Sequence, residues 1–195
     1  MLQLGFLKLL YGAPMRENRD KYPCEFCDSP PYEVVSTPWL SEDELTTLRG
    51  CEDALDRLYN SGRFLITLDY LINEVGLTPF ALFCDFGKNT NGGGMSLGNY
   101  ALAVLEFFES KCDGELLREK LACDLLCSVD ALQIPDKIKP LSKYHKRVRA
   151  KFGPDYRVAV LEKSGRIFAV DKNSKKDLFG RYRYKFFSFS ETEYI

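Results

Sequence analysis

The chain has 195 residues, 45% hydrophobic and 13% aromatic, which is enough apolar material for a packed core and too much for a disordered segment. Its net charge of −1 conceals a division: residues 1–135 carry 11 basic and 21 acidic side chains, residues 136–195 carry 16 and 7. No apolar run approaches the ~20 residues that span a bilayer, and seven cysteines form an odd set that argues against a secreted disulfide framework and for a reducing cytoplasm.

Residues 1–13 resemble a signal peptide only in apolar content, because Lys8 interrupts the run and neither a basic start nor a small-residue cleavage pattern frames it. The stretch Leu4–Leu10 reads instead as a buried strand ending at Tyr11-Gly12, the last piece of a sheet whose earlier strands lie elsewhere. Tyr22–Cys27 and Tyr32–Ser36, separated by Asp28-Ser29-Pro30-Pro31, read as a hairpin.

Residues 37–64 hold the clearest element. Ser41 and Glu44 have capping-box spacing, and Leu40 stands where it can staple to Leu45. Leu45, Leu48, Cys51, Ala54, Leu55 and Leu58 draw one apolar stripe, and Asn60-Ser61-Gly62 ends a helix over residues 42–60. The period resumes from Phe64 to Val75. Thr78-Pro79, Ser96 and Asp113 then mark three further helix starts, so residues 37–135 read as a helical bundle. Ile134-Pro135-Asp136 and Lys139-Pro140 form the expected linker.

Beyond it the period changes to that of strands. Residues 156–162 and 166–171 flank Lys163-Ser164-Gly165, a hairpin signal, and Arg181–Phe186 alternates cations with rings, which on a strand places all three charges on one face. The whole reads as α+β: a mainly α-helical bundle with a small C-terminal antiparallel β meander and a short N-terminal strand or hairpin. Its divisions are residues 1–36, 37–135 and 136–195. The basic meander is expected to pack on the acidic bundle.

No catalytic constellation is legible. Cys24 and Cys27 have a metal-like spacing that Cys123 and Cys127 complete to four ligands, but the second pair also fits an apolar stripe. The sole histidine, His145, lies in a basic run and reads as a solvated side chain. Gly92-Gly93-Gly94 lacks the preceding strand and following lysine of a phosphate loop and reads as a flexible loop. The tail from Arg181 to Phe187 has two readings: a binding surface for RNA or an acidic partner, made of cations and stacking rings, or a sheet whose rings pack on the bundle while Arg181, Arg183 and Lys185 lie in solvent or against the acidic bundle.

Residues 30–64, PPYEVVSTPWLSEDELTTLRGCEDALDRLYNSGRF, resemble the C-terminal domain of unknown function in radical S-adenosylmethionine proteins that carry an N-terminal cobalamin-binding domain. Residues 2–15, LQLGFLKLLYGAPM, are similar to the end of the radical barrel in the same proteins. The resemblance implies the C-terminal portion of a larger enzyme, with the iron–sulfur, S-adenosylmethionine and cobalamin sites upstream and the upstream domains as partners. No catalytic or cofactor-binding residue carries over to residues 1–195. Thr37, Pro38, Trp39, Tyr59, Asn60, Gly62, Arg63 and Phe64 match the motif; Trp39 and Phe64 are expected to pack, Gly62 to cap, and Asn60 and Arg63 to be interfacial.

Overall fold

A computed structural model describes residues 1–90 and 93–190. Gly92 of the triple-glycine stretch and the last five residues of the basic segment lie outside the described residues. The architecture is α+β, with seven α-helices, a two-stranded hairpin and a three-stranded antiparallel sheet among the described residues. The chain forms two compact units, one of residues 1–56 and 80–91, the other of residues 57–79 and 92–195.

In the first unit, helix α1 (Pro14–Glu17) precedes strands β1 (Glu25–Phe26) and β2 (Val34–Ser36), which pair antiparallel. Helix α2 (Glu42–Ala54) starts at the expected capping box: Glu44 N donates to Ser41 Oγ at 3.3 Å, and Ser41 N donates to Glu44 Oε2 at 2.8 Å. Leu45 is buried with Leu9 and Val34, and the half-buried Leu48 packs against them. Arg49 fastens α2 to β2 through Glu33 Oε1 at 2.7 Å and the Val34 carbonyl. Helix α4 (Pro79–Asn89) crosses α2 backbone to backbone, since a Cβ on Gly50 would stand 2.7 Å from the Gly87 carbonyl oxygen.

The Leu4–Leu10 run is not a buried strand. Its ladder is a single bridge, Lys8 to Glu33, and Leu9 is buried while Leu2, Leu7 and Leu10 are exposed. Arg16 anchors Leu9 by donating to its carbonyl at 2.7 Å while its guanidinium lies 4.1 Å from the Tyr11 ring centroid. Hydrophobicity alone proposed the strand, and a strand also needs partners on its hydrogen-bonding edges. Trp39 is likewise 83% exposed rather than packed, because Thr37 Oγ1 accepts from the N–H groups of Trp39 and Leu40 and fixes a local turn there.

In sequence, α2 runs on through a wider π-helical stretch, Leu55–Asn60, in which Leu55 and Leu58 are buried. The second unit takes up the chain within that stretch, at Arg57. Gly62 ends it at φ +64°, its N–H donating to Tyr59 O at 3.0 Å. Helix α3 (Leu65–Asp69) follows, itself extended by a π-helical stretch, Tyr70–Glu74. Ser96 caps α5 (Leu97–Phe108) and Asp113 caps α6 (Gly114–Ser128). Residues 121–127 of α6 are buried on every side, as a helix enclosed by neighbours must be; it packs against α3, α5 and two strands of the sheet. Ile134 and Ile138 are also buried, so the expected linker is anchored.

Helix α7 (His145–Phe152) lies against the sheet formed by β3 (Tyr156–Leu161), β4 (Arg166–Asp171) and β5 (Tyr184–Ser188), in that order. Tyr144, Val148, Val158, Val160, Ile167 and Ala169 make the core between helix and sheet. The sheet segment is held to α6 by specific carboxylates: Glu119 accepts from Lys163 N at 2.8 Å and Ser164 N at 3.2 Å, closing the β3–β4 turn against the helix. Arg157 adds bonds to the Leu126 and Val129 carbonyls and an ion pair with Asp130.

Candidate functional site

At the centre of the second unit lies Asp124, fully buried on α6. It accepts from Ile66 N at 3.2 Å and from Thr67 N and Thr67 Oγ1 at 2.8 Å, supplying from another helix the acceptor that the first turn of α3 lacks locally. Arg181 completes the group, donating from Nη2 to Asp124 Oδ1 at 3.1 Å and from Nη1 to the Gly62 carbonyl at 3.0 Å. Burial lifts the Asp124 carboxyl to about 6 against the opposing pull of Arg181 and the Thr67 and Ile66 donors. The carboxylate is therefore ionised at neutral pH.

Of the two placements expected for Arg181, in solvent or against the acidic bundle, the structure takes the second. Arg181 is 3% exposed, because β5 begins at Tyr184 and residues 181–183 do not follow strand alternation. Arg183, Lys185 and Arg63 are exposed, and Asn60 is half-buried. Phe64 is buried beside Tyr100, their ring centroids 5.9 Å apart.

Among the described residues no three His, Cys, Asp or Glu side chains are grouped as ligands. Cys24 is half-buried, Cys27 exposed, and Cys123 and Cys127 fully buried. Burial pushes the Cys127 thiol up to about 12 and that of Cys123 well above its ordinary value. His145 is half-buried rather than solvated, with Nδ1 enclosed and without a hydrogen-bond partner; burial, then Arg149, lowers its pKa.

Arg181 also lines a cleft in which cations and rings converge. It has a volume of about 740 Å³ and runs from the end of α7 to β5. Lys151, Arg183 and Lys185 bring exposed positive charge to it. Tyr156, Tyr184 and Phe187 bring rings that are 38%, 39% and 42% exposed. The two carboxylates on its wall are turned to the backbone: Asp177 Oδ1 accepts from Phe179 N and Arg181 N at 2.9 Å, and Asp171 Oδ1 from Asn173 N. The aromatic side chains do not all pack on the bundle as one sequence reading expected. Phe168 takes Tyr184 and Phe186 on one side of β5, and Phe152 meets Phe187 on the other at 5.2 Å.

An α+β protein with a buried carboxylate–guanidinium pair and a basic aromatic cleft is thus the class that fold and site define. The chain belongs to the family described as a protein of unknown function, DUF4080, whose match extends over residues 20–193. No curated protein and no solved structure matches it. No helix among the described residues is long and apolar enough to cross a membrane.

Proposed function

We propose that this chain is the C-terminal accessory domain of a cobalamin-dependent radical S-adenosylmethionine enzyme, and that it does not catalyse the reaction alone. The observation that carries the reading is the apolar surface of residues 1–11, where Met1, Leu2, Leu7, Leu10 and Tyr11 are exposed beside a buried Leu9. Water-exposed apolar side chains this dense mark a docking surface, and the segment is the one whose residues resemble the end of the radical barrel. The family match over residues 20–193 follows directly after it. By the same resemblance the cluster, S-adenosylmethionine and cobalamin belong to upstream domains. An iron–sulfur cluster would supply the electron for reductive cleavage of S-adenosylmethionine, and this chain would cover or flank the substrate opening.

The test is to append the in-frame coding sequence upstream of Met1. A C-x3-C-x2-C segment there, and solvent protection of residues 2–11 in hydrogen exchange of the longer polypeptide relative to residues 1–195, are the expected results. An upstream region without such a segment, or unchanged exchange, contradicts the reading.

A further inference from the structure

We infer that the cleft between α7 and β5 binds single-stranded RNA, a reading independent of the accessory-domain proposal. Two observations converge on it. Exposed cations line the cleft at both walls, Lys151 at the end of α7 and Arg183 and Lys185 on the side of β5. The three exposed cations of the lining outnumber its two carboxylates, Asp171 and Asp177, and the remaining cation, Arg181, is matched by Asp124, so the net charge presented to the cleft is positive.

The rings decide between polyanions. An acidic peptide would use the cations alone, whereas Tyr156, Tyr184 and Phe187 hold two-fifths of their surface open to water at a cost in apolar exposure, as faces for stacked bases do. Among the described residues β5 pairs with β4 alone, so one hydrogen-bonding edge is open beside its partly exposed rings, which suits splayed single-stranded bases and not a rigid duplex.

The experiment is fluorescence anisotropy of the whole chain with labelled 12-nucleotide oligo(U) and oligo(A). Contact with three to four phosphates gives a log–log salt slope of about −2 to −3, so affinity should fall roughly 20- to 50-fold between 50 and 200 mM salt. Arg183→Glu with Lys185→Glu should weaken binding at least tenfold. Phe187→Leu, which keeps an apolar contact with Phe152 but removes the stacking face, should weaken it about fivefold or more. Circular dichroism and denaturation of both variants control for folding. Salt-independent binding, unchanged affinity in the folded variants, displacement by AMP at equal concentration, or displacement by polyglutamate as effective as by RNA would each overturn the inference.

Discussion

Asp124 and Arg181, separated by 57 positions, meet at 3.1 Å with both side chains out of solvent. The pair joins α6, the start of α3 and the approach to β5 in one hydrogen-bonded group. Asp124→Asn leaves Arg181 buried without its counter-charge and should cost about 3–5 kcal/mol, measured by chemical denaturation. A midpoint equal to the wild type's would remove the pair from its structural role.

The same carboxyl gives a pH signature. Its folded value of about 6 stands above the ordinary aspartate value, near 3.9 in an unfolded chain. The native state therefore binds the extra proton between about pH 4 and pH 6, so Asp124's contribution to stability falls as pH rises through that window and is level above it. Denaturation midpoints of wild type and Asp124→Asn across pH 4–7 should converge toward different offsets at the two ends, with the change confined to this window. A constant offset would show an unshifted carboxyl.

Gly62 is required twice, by its φ of +64° and by the Phe179 ring lying where a Cβ would be. Gly62→Ala should cost more than about 1 kcal/mol. Phe179→Ala in the same chain should recover the steric part and leave the backbone part. If the double variant is no more stable than Gly62→Ala, ring contact is not the cause.

Gly87→Ala ought to stabilise an isolated helix by about 1 kcal/mol. Here it should destabilise instead, because the added methyl meets the Gly50 backbone at the α2–α4 crossing. A raised melting temperature would contradict the crossing.

The sequence and the structure agree where signals are local. The Ser41–Glu44 box, the Asn60-Ser61-Gly62 stop, the Asp113 cap and the Lys163-Ser164-Gly165 turn are each encoded within a few residues, and all are formed. The centre of the second unit was not legible. Residues 121–127 are buried all round, so no stripe distinguishes them, and Asp124 reads as a break in an apolar run until its partners at 66, 67 and 181 are brought to it. Alternation also assigned Arg181 to a strand that starts three residues later. The cleft arises from β5 being an edge strand beside α7, which strand order decides and composition does not.

The most direct test of the accessory-domain account is the release of 5′-deoxyadenosine after anaerobic reconstitution with iron and sulfide, followed by S-adenosylmethionine and a reductant. The account predicts the nucleoside from the polypeptide extended by its upstream coding sequence, and none from residues 1–195, in which no three cysteines stand in a C-x3-C-x2-C spacing. Stoichiometric or catalytic nucleoside from residues 1–195 alone, or none from the extended polypeptide, would contradict it.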